Sequence, residues 1–322
     1  MTSSDLHHLC NKAITNVNDV ILGKPDQVKK MFIALLAQGH VLLDDTPGMG
    51  KTTLARALAA VLGMDLKRVQ FTSDLMPSDI TGINISSSHL NMASPPSQAL
   101  PANPQVPMQF LPGPVFTNIL LADEVNRASP RTQSALLEAM AENQVTVDGL
   151  THALPTPFWV MATQNPVDLS GTFPLPDSQM DRFLFRINIG YPEEDHEVQL
   201  MMGKGGNTHI LSPILHAQEV LMAQKEVMGF EIKENLARYI HRLAQATRTH
   251  AQVTSGLSPR GVLALLAASR AHAWLLGEKF VAPENVQFVF VDCVAHRLTT
   301  PYLEFQEKRR IAEEILHKIS IT

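Results

Sequence analysis

The sequence predicts an α/β fold in which a mainly parallel sheet lies between helices and an all-helical region follows. Short apolar runs alternate with helical patterns up to about residue 190, and helical periodicity continues almost unbroken after Glu193. A glycine-rich turn joins the first apolar run to a helix, as expected of a strand, loop, helix unit. Strands that alternate with helices favour a parallel sheet covered on both faces. We therefore expect two domains, residues 1–192 and 193–322.

Composition narrows the class of protein. The 322 residues are 45% hydrophobic and 18% charged, enough to bury one large core or two ordinary ones. Lys and Arg total 26 against 31 Asp and Glu, and this net charge of -5 gives no overall basic field for nucleic acid or anionic lipid. The sequence shows no leader peptide and no apolar run near the roughly 20 residues of a membrane helix. We expect a cytoplasmic protein without membrane insertion.

The cysteines and histidines suggest no metal or redox chemistry. Cys10 and Cys293 have neither metal-ligand nor redox-motif spacing, so both are predicted to be free thiols. The 13 histidines are scattered along the chain, and a single histidine is more often a surface or core residue than a ligand. We assign them no role.

The first half of the chain begins with helices and then forms a strand, loop, helix unit. Apolar spacing predicts a helix from Asp5 to Val20 and a second that ends near Gly39. HVLLDD predicts a buried strand, and the helix after its turn is expected to stop at Gly63. VQFTSD predicts another short strand. Residues 82–114 are rich in Ser, Pro, Asn and Ala, which predicts an inserted loop region.

A second unit of the same kind follows. NILLADE predicts a strand that ends in two carboxylates, and Ser129 and Pro130 suit the cap and first position of the next helix. Asp148-Gly149 lies between alternating segments and predicts a β-hairpin. PFWVMATQN and MDRFLFRINIGYP predict two further strands. Six helical segments then complete the chain.

The glycine-rich turn carries residues suited to phosphate binding. In DTPGMGKT, Gly48 and Gly50 permit a tight loop whose N–H groups face a phosphate at the positive end of the next helix. Lys51 is expected to reach the β- and γ-phosphates, and the Thr52 hydroxyl to ligate Mg²⁺. The strict pattern GxxxxGK[ST] requires glycine where this chain has Asp45, so a glycine turn opening an ordinary helix stays an alternative. The predicted nucleotide-binding residues here are Pro47, Gly48, Met49, Gly50, Lys51, Thr52 and Thr53.

Two adjacent carboxylates end the strand in NILLADE. Ligands of open α/β sheets bind at the carboxyl ends of the strands, so Asp123 and Glu124 are predicted to face the phosphate loop. Asp123 suits the Mg²⁺ shell, and Glu124 suits activation of an attacking water as general base. The alternative for this segment alone is an acidic turn at a strand end.

Three more residues complete the predicted catalytic set. Asn165, at the end of MATQN, can orient water or sense the γ-phosphate beside Glu124, although an isolated Asn is usually a turn residue. Arg182 in MDRF and Arg260 in SPRG suit stabilisation of the charge that spreads during phosphoryl transfer, delivered by a neighbouring subunit. Without the other motifs, each arginine would be interpreted as a surface salt bridge.

The ordered set DTPGMGKT, LLADE, ATQN, MDRF and SPRG resembles the AAA+ ATPases. The stretches QFTSDLMPSDITG, FLPGPVF, LADEVNRASPRTQSALLEAM and ATQNPVDLSGTFPLPDSQMDRF are similar specifically to the MoxR branch. The resemblance implies a P-loop AAA+ core for residues 1–192 and a C-terminal all-α lid domain for 193–322. It also implies a helix-2 insertion at 82–110 and a pre-sensor-1 hairpin at 144–154.

The resemblance further implies roles and partners. Lys51 and Thr52 match Walker A, Asp123 and Glu124 Walker B, Asn165 sensor 1, Arg182 the arginine finger and Arg260 sensor 2. The family uses ATP and Mg²⁺ and builds rings, commonly hexamers, that remodel, mature or activate protein clients. Many members act with a partner that contains a von Willebrand factor A domain. We expect such a homo-oligomer and such partners here.

Three other functions stay open at this point. Related ring ATPases with hairpin insertions thread DNA, but the predicted hairpin VTVDGLTHAL contains no Lys or Arg with which to track a strand. A chelatase-type motor subunit shares the insertions and the need for a von Willebrand partner. A nucleotide-regulated scaffold with little turnover is the third alternative, and Glu124 argues against it.

Overall fold

Five parallel strands form the central sheet in the computed structural model, which describes residues 2–46, 48–86, 108–165, 171–208, 211–301 and 303–321. In chain order the strands are β1 (His40–Asp44), β2 (Leu66–Gln70), β3 (Gly82–Ser86), β4 (Met108–Pro112), β5 (Ile119–Asp123), β6 (Gln144–Val147), β7 (Leu150–Ala153), β8 (Trp159–Gln164) and β9 (Phe183–Ile187). The sheet order is β2-β5-β8-β1-β9, with every neighbouring pair parallel. The carboxyl ends of these strands therefore meet at one edge.

Helices surround this sheet and make up most of the second half of the chain. They are α1 (Ser3–Val20), α2 (Pro25–Leu36), α3 (Lys51–Leu62), α4 (Pro77–Thr81), α5 (Pro130–Glu142), α6 (Asp177–Met180), α7 (Glu194–Met201), α8 (Ala217–Met228), α9 (Glu234–Thr249), α10 (Pro259–Leu275), α11 (Pro283–Val294) and α12 (Phe305–Lys318). Ser129 caps α5 by accepting from the N–H of Thr132, and Gly63 ends α3 in the left-handed conformation. The predicted α/β core and helical lid are confirmed, while the boundary at 192 stays a prediction.

Both faces of the sheet are buried at β1, β5 and β8, because successive side chains of these strands enter different cores. Val41 and Leu43 belong to the cluster formed with α1, α2, α3 and the lid helices. Leu42 belongs to a second cluster, which contains Leu136 and Leu137 of α5. This double burial explains why β1 is apolar at consecutive positions. The lid and the sheet share one core, so the lid contributes to the environment of the strands.

Two antiparallel pairs project from this core and contact each other. β3 pairs with β4, and β6 pairs with β7 across Asp148 and Gly149, whose φ values are 49° and 79°. Positive φ at both turn residues is the two-residue hairpin geometry that Asp-Gly predicts. The ring of Phe110 in β4 stacks on that of His152 in β7, with centroids 3.8 Å apart. The prediction of a loop region over residues 82–114 was wrong at its two ends, which form β3 and β4, because their pairing with each other leaves little local periodicity. Residues 87–107 of the predicted insertion lie outside the described residues.

In the described segments, no helix combines enough length with enough apolarity to cross a bilayer.

Candidate nucleotide site

The phosphate loop follows β1 at the carboxyl edge of the sheet. Gly48 and Gly50 have φ values of 90° and 80°, and a Cβ at either position would meet no atom within 4 Å. Backbone conformation, rather than crowding, therefore explains glycine at these two positions. Helix α3 begins directly after Gly50, so its first N–H groups are available to an anion. Pro47, the remaining predicted residue of this turn, lies outside the described residues.

Lys51 reaches back over its own loop. Its Nζ donates to the carbonyl oxygens of Asp45 at 2.5 Å and Thr46 at 3.1 Å. Burial lowers the pKa of Lys51, and the negative charges of Asp45 and Asp123 act against that shift. The ammonium group thus lies in the loop where a phosphate would need a counter-charge.

Thr163 holds both predicted acidic residues. Its hydroxyl donates to Asp123 Oδ1 at 2.6 Å and accepts from the backbone N–H of Glu124 at 2.9 Å. Glu124 has a φ of 57°, an unusual conformation for a residue other than glycine. The hydroxyl of the neighbouring strand β8 therefore fixes the turn at which β5 ends. Thr163 was not predicted, and its only signal in the sequence was its place two residues before the end of MATQN.

Strand β2 supplies two further side chains that sequence analysis missed. Arg68 donates to Asp123 Oδ2 through its Nε at 3.2 Å and through its terminal nitrogen at 2.7 Å. Gln70 donates to Glu124 Oε2 at 3.0 Å, and Arg127 forms an ion pair with the same oxygen at 2.9 Å. Both acidic residues are thus held by cations or amide groups. The sequence signal was the same-face spacing of two polar residues in β2, but their place beside β5 required the sheet order.

A cavity of about 370 Å³ collects these groups. It contains the predicted residues of three strand ends together with the two side chains of β2. Its lining is Gly48, Gly50, Lys51, Thr52, Thr53, Arg68, Gln70, Asp123, Glu124 and Asn165. Asn165 and Glu124 were predicted to lie beside each other, and they share this cavity. The donors and charges suit a polyphosphate.

A larger and more apolar cavity of about 630 Å³ adjoins the phosphate loop. It shares Gly48, Gly50 and Thr53 with the first cavity. Its walls come from the α1–α2 connection, the loop and the segment around α7, including Val20, Ile21, Leu22, Met49, Leu54, Ile189, Tyr191, Pro192, Leu200 and Met201. An apolar space beside a phosphate cradle suits a purine base and its ribose. Of this wall, only Met49 and the shared loop residues were predicted.

Asp45 faces away from the phosphate cavity. Its carboxylate accepts from the backbone N–H of Ile189 at 2.5 Å and of Gly190 at 3.1 Å. These residues belong to the chain segment between β9 and α7. Burial raises the pKa of Asp45, and these two hydrogen bonds and the charge of Lys51 act against the shift. The departure from the glycine pattern therefore serves a contact between the loop and the segment that leads to the lid.

Arg182 and Arg260 lie near the opposite edge of the sheet. Arg182 directly precedes β9, whose first residue Phe183 pairs in register with His40 at the start of β1. Its guanidinium donates to the carbonyl oxygen of Leu137 at 2.8 Å. Ser258, the N-cap of α10, donates to Asp181 at 3.3 Å, so Arg260 in the first turn of α10 lies near the same edge. Within the described part of the chain, neither arginine lines the two cavities.

The donor set suits Mg²⁺ and ATP. Thr52 and Asp123 offer a hydroxyl and a carboxylate, the oxygen ligands that Mg²⁺ prefers. Asp123 Oδ1 accepts from Thr163 and keeps a further lone pair for a cation or its water, whereas Oδ2 accepts twice from Arg68. Mg²⁺ would take further ligands from phosphate and water, so a dense protein cluster is not required.

Comparison with known proteins identifies the family. Residues 40–185 match the model of the ATPase family associated with various cellular activities (AAA), and residues 245–319 match the AAA lid domain. The chain is 42% identical to the uncharacterized protein YeaC of Bacillus subtilis, over 98% of this chain and 96% of YeaC. It is 38% identical to Chaperone MoxR1 of Mycobacterium tuberculosis, over 92% of this chain and 77% of that protein.

One solved structure is similar to this chain over nearly its whole length. The crystal structure of a Cytophaga hutchinsonii protein assigned as an ATPase superposes with a TM-score of 0.86 at 34% identity. The superposition covers 99% of this chain and 97% of that chain. The similarity therefore extends through both the sheet and the helical lid.

Proposed function

This chain belongs to the MoxR family of AAA+ ATPases, and from that premise we propose that it hydrolyses ATP in a ring oligomer to remodel protein partners. One observation in particular supports a ring oligomer. The cavity suited to phosphate lies at one edge of the sheet, while Arg182 and Arg260 lie near the opposite edge. A chain that carries the two halves of a site on opposite sides completes it through head-to-tail contact with a copy of itself. Such heterologous contacts close into rings when the rotation permits.

We assign a task in ATP hydrolysis to each of the predicted catalytic residues. Lys51 and the N–H groups at the start of α3 bind the phosphates, and Glu124 accepts a proton from the attacking water. Asn165 orients that water beside Glu124. Arg182 and Arg260 of the neighbouring chain stabilise the negative charge that spreads over the transferred phosphoryl group.

A magnesium ion would be held by Thr52 and Asp123, and when bound it would neutralise phosphate charge. The bonds from Thr163 and Arg68 orient the Asp123 carboxylate. Such outer contacts commonly set the geometry of metal ligands. The base and ribose of the nucleotide occupy the apolar cavity beside Ile21.

The assignment of the base is tested by phosphate release from the wild type and from Glu124→Gln. We expect the variant to bind ATP and to lose at least about 100-fold in hydrolysis rate, since it lacks the general base. Equal rates would refute the assignment.

The shared site is tested by mixing variants. Arg182→Ala should bind ATP without hydrolysing it, and Lys51→Ala should fail at its own phosphate loop. Mixed rings restore complete sites wherever the intact loop of the first meets the intact arginine of the second. Absence of any recovery would argue against a site shared between subunits.

The client proposal is supported by the name of one relative, and the partner proposal by the sequence resemblance alone. One relative is named Chaperone MoxR1, which supports a protein client for this chain. We extend the proposal to a hexameric ring in the cytoplasm that acts with a von Willebrand factor A domain protein. Mass measurement with and without ATP tests the ring, and co-purification under the same two conditions tests the partner. Hydrolysis stimulated by single-stranded nucleic acid would favour a translocating motor instead.

A further inference from the structure

A buried arginine of the lid holds the backbone on both sides of Arg182. Arg297 is 8% exposed and follows α11. One of its terminal nitrogens donates to the carbonyl oxygen of Phe183 at 2.6 Å and of Asp181 at 3.3 Å, and the other donates to that of Leu184 at 3.1 Å. Its Nε donates to Asp181 Oδ1 at 2.6 Å. The residues that flank Arg182 are therefore fixed by a single side chain.

The second carboxylate oxygen of Asp181 forms a hydrogen bond with the residue that caps the helix carrying Arg260. Asp181 Oδ2 accepts from the hydroxyl of Ser258 at 3.3 Å. Ser258 is the N-cap of α10 and accepts from the N–H of Gly261 at 3.0 Å. A Cβ on Gly261 would lie 3.0 Å from Cδ of Arg297, so the helix start packs directly on this arginine. Arg260 lies within this capped turn.

We propose that the Asp181–Arg297 ion pair is a positioning element that sets Arg182 and Arg260 relative to each other. Asp181 precedes Arg182 in the core, and its two oxygens bind the lid through Arg297 and through the cap of α10. A movement of the lid is thus transmitted to both arginines together. The inference rests on the proposed function, because it concerns residues that we assign to the site of a neighbouring subunit.

Stability alone does not explain this arrangement well. Burying an ion pair costs desolvation energy, and apolar packing of the same volume often serves stability equally well. Four hydrogen bonds of Arg297 instead go to Asp181, Phe183 and Leu184, on both sides of Arg182. A planar guanidinium with several donors is suited to fixing such a segment geometrically.

The test uses Asp181→Asn in the full-length protein. We expect binding of a fluorescent ATP analogue to stay near wild type and hydrolysis to fall on the order of 10- to 100-fold, the loss that follows misplacement of a catalytic group. A one-to-one mixture of Asp181→Asn and Lys51→Ala should recover about a quarter of the wild-type rate. About one interface in four then pairs the intact loop of the first variant with the correctly placed arginines of the second. Mixed with Arg182→Ala, Asp181→Asn should not recover.

A control variant and a second test variant separate a positioning role from a general loss of stability. Asp292→Asn removes a buried carboxylate's ion pairs with Lys30 and Arg309, at 2.6 and 2.5 Å, and neither pair includes residues 181–184. It should lower thermal stability and leave hydrolysis by the folded protein near wild type. Ser258→Ala keeps the Asp181–Arg297 pair, and we expect a smaller loss with the same mixing pattern. This second variant decides the matter if Asp181→Asn does not fold.

The mixing experiments distinguish an error in the positioning proposal from an error in the shared-site proposal. If Arg182→Ala recovers with Lys51→Ala but both Asp181→Asn and Ser258→Ala do not, these residues act on their own chain and the positioning proposal is wrong. If Arg182→Ala itself does not recover, the proposed shared site is wrong and the positioning role falls with it.

Discussion

The carboxylate of Asp45 accepts a hydrogen bond from the backbone N–H of Gly190 at 3.1 Å, which ties the phosphate loop to the segment leading to α7. The same carboxylate accepts from Ile189. The residue that departs from the usual glycine pattern therefore joins two segments that are far apart in the chain. A change in the lid segment can reach the loop through this contact.

Asp45→Gly restores the glycine of the usual loop pattern but leaves two backbone N–H groups without their acceptor. We expect the free energy of unfolding to fall by about 1–3 kcal/mol, the cost of unsatisfied buried donors. ATP affinity should change little, because the carboxylate of Asp45 faces the segment between β9 and α7 and not the phosphate cavity. Urea unfolding and ATP titration measure the two quantities, with Asp148→Asn at the hairpin turn as control. Unchanged stability with altered ATP affinity would contradict this prediction.

Thr163→Val removes the hydroxyl that holds Asp123 and Glu124 while keeping the shape of the side chain. We expect kcat to fall about 10- to 100-fold and the Mg²⁺ requirement to rise, as for loss of an outer contact to a metal ligand. Thr163→Ser keeps the hydroxyl and should retain most activity. Hydrolysis rates measured against Mg²⁺ concentration test this, and equal rates for the two variants would show that the hydroxyl is not required.

His40 is expected to make stability depend on pH. Its Nδ1 accepts from the N–H of Val160 at 3.0 Å, so Nε2 carries the proton and donates to the carbonyl of Met140 at 3.1 Å. Burial, its largest cause, lowers the pKa from 6.5 to about 4 in the folded protein. The unfolded chain therefore binds more protons between these pH values, and stability falls as pH falls through this window.

The size of this effect follows from the pKa difference. His40 contributes roughly 3 kcal/mol of pH dependence between about pH 4 and 6.5. His40→Asn should reduce the slope of the unfolding free energy across this window, because it removes one titrating group. Burial also lowers the pKa of His272 to about 4 and lowers that of His296, so part of the slope stays. Urea unfolding at several pH values measures the slope, and His8→Asn on the exposed face of α1 is the control. The same slope in both variants would exclude His40 as its source.

Ile21→Gln tests the apolar cavity as the site of the nucleotide base. Replacing an apolar wall residue should cost about 1 kcal/mol of binding, roughly a fivefold weaker affinity for ATP. Because the base is remote from the reacting phosphate, KM should rise while kcat stays near wild type. Leu276→Gln, on an exposed residue of the lid, is the matched control. A change in kcat with unchanged KM would place the base elsewhere.

Much of the fold was predictable because its determinants are local. The cap at Ser129, the end of α3 at Gly63 and the Asp148-Gly149 turn each depend on neighbouring residues, and the structure confirms all three. The phosphate cavity was predicted in part, because strand ends of an α/β sheet meet at one edge. Thr163 was not predicted, because a hydroxyl within a strand has no local pattern that indicates its partner.

Local patterns in the sequence predicted most of the helices, most of the strands and the residues suited to bind phosphate, because periodicity, turn residues and caps act over a few positions. The tertiary structure was needed to show that Arg68 lies beside Asp123, that Asp45 binds the segment between β9 and α7, and that Arg182 lies near the edge opposite the phosphate loop. These contacts depend on the order of strands in the sheet and on how the lid packs. Both are set by segments distant in the chain, which no local pattern records.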